Sequence, residues 1–80
     1  MTVNDAVATR ILQLLTQKNM TQYRLEQQSG IQHGHMQWIS NRKSKTVTLS
    51  TVMMIANGFG MTVREFLDDD LFLYKNLDVE

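Results

Sequence analysis

The sequence predicts an all-α fold, on three observations. No proline interrupts the 80 residues. Strong helix formers run in long stretches between isolated glycines. Apolar residues recur at intervals of three and four, the period of a helix with one buried face. A chain of this length builds one compact domain around one core.

Ala8, Ile11, Leu12 and Leu15 fall at helical spacing, with Arg10, Gln13 and Lys18 on other faces, so residues 5–18 read as a first amphipathic helix. Thr21 is a hydroxyl residue suited to cap a second helix of about two turns, which Ser29 and Gly30 stop. Ile31, Met36 and Ile39 mark a third, opening at Gln32 and ending near Asn41, a residue that tolerates the left-handed conformation. The polar run from Arg42 to Thr46 reads as an exposed loop. Thr48 caps a fourth helix, in which Leu49, Val52, Met53, Ile55, Ala56 and Phe59 form a broad apolar face, and Gly58 and Gly60 break it. Thr62 to Glu65 is a Thr-x-x-Glu capping box, each side chain satisfying the other's backbone amide. A fifth helix begins there and contributes Val63, Phe66 and Leu67. The methionines and phenylalanines at positions 36, 53, 54, 59 and 66 read as core or near-core packing. Residues 1–67 thus form the expected domain, and residues 68–80 an acidic and apolar C-terminal extension whose form the pattern leaves open.

Composition narrows the function classes. The absence of cysteine excludes disulfides, thiolate metal sites and a cysteine nucleophile, and suits a reducing cytoplasm. With no basic-then-apolar leader and no apolar run near the ~18 residues of a membrane helix, the expectation is a soluble cytoplasmic protein without a membrane partner. Formal net charge is zero, which by itself argues against a polyanionic partner. The charges are segregated, however. Residues 1–50 carry Arg10, Lys18, Arg24, Arg42, Lys43 and Lys45 against Asp5 and Glu26, whereas residues 51–80 carry six carboxylates against Arg64 and Lys75. A basic face is compatible with this sequence.

The informative stretch is residues 22–41, in which Gln22, Leu25, Gly30, Ile31, Met36 and Ile39 are spaced as two short crossing helices require. A glycine is needed where the chain reverses, and apolar residues at the crossing hold the angle. Such a unit projects its second helix outward, at a diameter that suits the DNA major groove. Met20-Thr21-Gln22, Ser29-Gly30-Ile31, Thr48-Leu49-Ser50-Thr51 and Gly58-Phe59-Gly60-Met61-Thr62 stand at the openings and turns of the successive helices. With these motifs the chain resembles the phage-repressor and Cro-like (XRE) helix-turn-helix family from about Ala8 to Leu67.

The resemblance implies a five-helix, lambda-repressor-like DNA-binding domain, with the helix-turn-helix unit at about residues 21–41. It implies that Thr21 and Gln22 contact a phosphate at the amino end of the second helix, and that Gln32, His33, Gly34, Gln37 and Trp38 form the outward face of the recognition helix. Gln37 has an amide able to pair bidentately with adenine, and His33 can donate to or accept from a base edge. Trp38 either packs on sugars and thymine methyls or plugs the gap to the second helix. Arg42, Lys43 and Lys45 would grip backbone phosphates.

Four positions depart from the family pattern. Glu26 replaces the usual alanine near the crossing, so it is expected to point outward or to loosen the packing. Arg42 replaces the usual glycine after the recognition helix, leaving Asn41 as the expected terminator. The family's internal arginine–glutamate pair corresponds to Leu15 and Ser40, so both partners are absent together. Gly34 lies inside the recognition helix, at a cost of ~1 kcal/mol relative to alanine.

Other chemistry finds little support. His33-x-His35 lacks further ligands for a metal, Asp68 to Asp70 reads as a solvated turn, and no catalytic constellation converges, so neither enzyme activity, metal nor cofactor is expected. The expected function is sequence-specific binding of double-stranded DNA by a bacterial or phage transcriptional regulator. The alternative is an antitoxin-like protein-interaction module with weak or secondary DNA binding. Leu71, Phe72, Leu73, Tyr74 and Leu77 outnumber what five helices can cover, so the tail is expected either to form a homodimer or to fold back over its own core.

Overall fold

The computed structural model describes residues 1–79. Five α-helices follow one another: α1 (Val3–Gln17), α2 (Gln22–Ser29), α3 (His33–Ser40), α4 (Leu49–Gly58) and α5 (Val63–Phe66). Two 3-10 turns, Asp70–Phe72 and Tyr74–Asn76, complete the chain. Four helices start on a threonine whose hydroxyl oxygen accepts a first-turn amide: Thr2 from Asp5, Thr21 from Arg24, Thr48 from Thr51 and Thr62 from Glu65. Asp5 and Glu65 return the bond to their cap residues, so α1 and α5 both carry full capping boxes. The Thr2 box starts α1 two residues earlier than the apolar spacing predicts.

Left-handed residues follow the first four helices: Asn19, Gly30, Arg42 and Gly60. At the end of α3 the Arg42 amide donates to the Ile39 carbonyl at 3.0 Å and the Lys43 amide to Trp38 at 3.1 Å, a Schellman closure. The terminator is therefore Arg42 at φ 56°, and Asn41, at φ −85°, is not left-handed. The closure places its positive φ one residue beyond the cap, and the chain holds an arginine there in spite of the steric cost.

The core gathers Val7, Ile11 and Leu14 of α1, Leu25 of α2, Ile31 of the turn, Met36 and Ile39 of α3, three residues of α4 with its cap residue Phe59, and Phe66 of α5. On α1 the buried stripe runs through 4, 7, 11 and 14, so Leu12 is exposed and Arg10 is buried. This reverses the sequence expectation for both residues. On α4 the stripe is Val52, Ile55, Ala56 and Phe59. Met53 is 52% exposed and Met54 41% exposed, because they flank that stripe, so the broad apolar face narrows. Leu49 is also exposed, at the end of α4 opposite its closest seat on α2. That seat is Gly58, inside α4, where a Cβ would lie 2.8 Å from Cβ of Ser29 and 3.0 Å from a Leu25 methyl. Gly58 thus permits the α2–α4 approach that holds the helix-turn-helix unit on the core.

Arg10 joins the two ends of the fold. Its Nε donates to the Phe66 carbonyl at 2.8 Å and its Nη2 to the Glu65 carbonyl at 3.1 Å, beside the Asp68 amide that the latter also accepts, so the guanidinium closes the end of α5. Its Nη1 lies 3.5 Å from the Asp69 carboxylate. An internal arginine is therefore present, at position 10 and not at Leu15, and its partners are the α5 terminus and the start of the tail.

The tail lies against the domain. Phe72 packs on Phe66 with ring centroids 6.0 Å apart, and the Asp78 amide donates to the Met1 carbonyl at 2.7 Å, within an isolated parallel bridge between Thr2 and Asp78. Leu71, Phe72 and Leu77 are half-buried, whereas Leu67, Leu73 and Tyr74 are exposed. Among the described residues no helix is long and apolar enough to cross a membrane.

Candidate nucleic-acid interface

The α2–α3 unit owes its angle to a few groups. Gly30, in the left-handed region at φ 77°, reverses the chain after α2. Ser29 accepts the Ile31 amide through its hydroxyl at 3.2 Å, which seats buried Ile31 under the turn. Met36 and Ile39 then anchor the inner side of α3, both essentially inaccessible. The Asn4 amide group donates to the Ile39 carbonyl at 3.0 Å, and the Asn4 backbone amide to Lys45 at 3.1 Å, so α1 holds both the end of α3 and the loop after it.

With that side buried, α3 turns its other side to solvent. Gln32, His33, Gly34 and His35 are exposed, Trp38 is 53% exposed, and Gln37 is half-buried between them. Gln32 is the N-cap of α3 but makes no side-chain capping bond, which leaves its amide uncommitted to the helix. Trp38 is not a plug against α2. It lines a cleft of about 370 Å³ with Asn4, His35 and the amino end of α4 at Thr48 and Thr51.

The polar residues of this face are tied together before any ligand arrives. Glu26 is only 9% exposed and does not point outward. It accepts from Gln22 Nε2 at 3.0 Å, and both its oxygens lie within reach of His33 Nδ1, at 2.9 and 3.1 Å. The Gln22 oxygen accepts in turn from the Ser40 hydroxyl at 3.4 Å, and Gln37 Nε2 lies 3.4 Å from His33 Nε2. The bonds from Gln22 and then from His33 hold the Glu26 carboxyl below its usual value against the opposing effect of burial. The crossing that an alanine would fill with a methyl group is filled here by an ionised carboxylate held by Gln22 and His33. Sequence reasoning missed Glu26 and Ser40 as members of this face. The seven-residue spacing from Glu26 to His33 spans the turn, and only the crossing angle makes it a contact.

At the amino end of α2, Thr21 accepts the Arg24 amide at 3.1 Å, while the amides of Gln22 and Tyr23 have no intrahelical acceptor by helix geometry. An open groove beside them is lined by Lys18, Thr21 and Arg24, so cations adjoin free amides, a setting that favours an anion. The Gln22 side chain itself is turned to Glu26 and Ser40. Beyond α3, Lys43 and Lys45 are exposed. Arg42 folds back toward α1, its Nη2 3.3 Å from the Thr9 hydroxyl and its Nε 3.8 Å from the Asp5 carboxylate. The structure thus brings Gln32, His33, Gly34, Gln37 and Trp38 onto one face, with Lys43 and Lys45 at one end and Thr21 on the neighbouring helix.

Neither a search of curated proteins nor one of solved structures finds a match to the chain. Residues 10–70 match the family model described as the Cro/C1-type HTH DNA-binding domain, a span that begins at the buried arginine and runs through α5 to the first residue of the tail's first turn. That match covers well over half of the sequence and includes the whole α2–α3 unit, so the chain belongs to the Cro/C1-type helix-turn-helix family of DNA-binding domains.

Proposed function

We propose that this DNA-binding domain is a cytoplasmic transcriptional regulator that reads a roughly palindromic operator as a homodimer, with α3 of each copy in the major groove. The observation that carries the proposal is the composition of the solvent face of α3: Gln32, His33, Gln37 and Trp38 have hydrogen-bonding or stacking groups toward solvent and no core to serve. In this reading Gln37 pairs with an adenine, His33 supports Gln37 from within the same face, Gln32 reaches a neighbouring base edge, Trp38 packs on sugar or a thymine methyl, and Gly34 lets the groove come close. Thr21 and the amide of Gln22 seat one phosphate, and Arg42, Lys43 and Lys45 seat others. Residues 68–80 act as the extension through which two copies meet, using Leu73, Tyr74 and Val79 together with Leu67 just before it, all exposed, whereas Leu71, Phe72 and Leu77 are half-buried. Half-sites then lie about one DNA turn, ~10 base pairs, apart.

The test is selection of the purified protein on a randomised duplex pool at two salt concentrations. A palindromic enriched site with that spacing supports the dimeric regulator. Weak, salt-sensitive binding without enrichment transfers the weight to a protein-binding role. Substituting Gln37→Ala should then cost ~1–3 kcal/mol on the enriched site and relax one base pair. An equal loss on every sequence removes Gln37 from base reading.

A further inference from the structure

We propose that Glu26 is a positioning residue for base recognition: acting through His33, it fixes which end of the Gln37 amide faces the DNA. The inference deepens the operator-reading proposal and rests on it. An ionised carboxylate has only acceptors, so the His33 nitrogen that touches both Glu26 oxygens, Nδ1, must hold the proton. In the neutral ring Nε2 is then left with a lone pair, 3.4 Å from the Gln37 side-chain nitrogen. The amide NH2 can donate to that lone pair, whereas the amide oxygen would meet it with a lone pair of its own. Gln37 is thereby turned with one N–H toward His33, leaving Oε1 and its second N–H for the groove.

That pair of groups matches adenine, whose N6 donates and whose N7 accepts. With the opposite amide orientation, a free NH2 would suit the acceptors of guanine or the O4 of thymine. Gln22 steadies the Glu26 end of the relay from one side, and its bond to Ser40 ties it back to α3. The arrangement has a role that a merely structural bridge lacks, because it sets a proton position on an exposed ring. His33 keeps a side-chain exposure of 68% although its Nδ1 is held.

The experiment compares the wild-type chain with Glu26→Gln and His33→Ala, reading the His33 ring by nitrogen-detected NMR of the neutral imidazole and base preference by selection on the randomised duplex pool. Glu26→Gln is isosteric but can donate as well as accept, so it releases the tautomer. The wild-type ring is expected to be protonated at Nδ1 and to give a roughly 5- to 150-fold preference for adenine at one base pair. In Glu26→Gln the fixed Nδ1 proton is lost and that preference collapses toward parity, while the rest of the enriched site is retained. His33→Ala, an exposed change that leaves Glu26 bonded to Gln22, should relax the same base pair. A wild-type ring protonated at Nε2, or an undiminished adenine preference in either variant, overturns the relay alone. A wild-type chain that enriches no sequence overturns the operator reading on which the relay rests.

Discussion

Replacing Gly34 by alanine separates what the fold needs from what DNA needs. Gly34 occupies the first turn of α3 with ordinary helical dihedrals, and a Cβ built there meets nothing within 4 Å. No packing reason therefore opposes a side chain, and the helix should gain roughly 0.5–1 kcal/mol from the lower backbone entropy of the unfolded state. In a domain of this size ~1 kcal/mol moves Tm by about 4–8 °C, so the expected rise is about 2–8 °C. The DNA-bound state answers differently. Gly34 lies on the exposed side of α3 between His33 and Gln37, and a methyl there displaces whatever part of the groove packs against its Cα. By the usual scale of overpacking, affinity for the enriched duplex should fall by ~1–3 kcal/mol. Thermal melting by circular dichroism reads the first effect, and equilibrium titration at fixed salt reads the second. A lowered Tm would refute the account of the α3 backbone. A raised Tm with unchanged affinity would take Gly34 out of the interface.

Arg10→Met removes the donors that satisfy the Phe66 and Glu65 carbonyls; two charge-assisted bonds at ~1.5–3 kcal/mol each predict a loss of at least ~3 kcal/mol in chemical denaturation. A loss under ~1 kcal/mol would show that α5 does not depend on this anchor. Arg42→Gly relieves a left-handed residue worth ~1 kcal/mol and loses only exposed bonds, so stability should hold or rise, while the salt slope of DNA binding falls by about 1. An unchanged slope means that Arg42 touches no phosphate. Asp5, Glu26 and Glu65 all have carboxyls lowered by hydrogen bonds, chiefly from Thr2, Gln22 and Thr62 respectively. The unfolded chain then binds protons first, so their contribution is full above the ordinary values of 3.8 and 4.5 and is lost as pH falls through the lowered folded values. Denaturation midpoints should therefore drop below about pH 4.5, and less steeply in Glu65→Gln. A midpoint that stays flat into that range contradicts the three capping and network bonds.

Local features were legible because their physics is local. The threonine caps at 21, 48 and 62 and the Thr62–Glu65 box require only a few consecutive residues, and each stands where the pattern puts it. The same logic at Thr2 and Asp5 was equally available, but the first apolar residues drew the helix start inward. The turn glycine and the inner residues Ile31, Met36 and Ile39 were legible from their spacing. Arg10 was not, because what makes burial of a guanidinium tolerable is a pair of carbonyls 55 and 56 residues away. A helical wheel sees a charge and turns it to water. Folding back of the tail was one of the two expectations, but its seats on Phe66 and the Met1 carbonyl lie too far away in sequence to be read from it.

The departures from local rules carry functional information of their own. A carboxylate stands at a helix crossing where a methyl would pack, a glycine stands in a helix with room for a side chain, and an arginine stands in a left-handed conformation that glycine would occupy without strain. Gly58 also breaks a local rule, but Ser29 and Leu25 account for it within the core. Glu26, Gly34 and Arg42 have no such justification in packing, and all three adjoin or belong to α3. Replacing a buried ionic group by apolar packing is often neutral or stabilising, so folding alone does not explain Glu26. Three exceptions gathered on and around α3, one on α2 facing it, one within it and one just beyond it, are what is expected where that helix answers to a ligand as well as to the core.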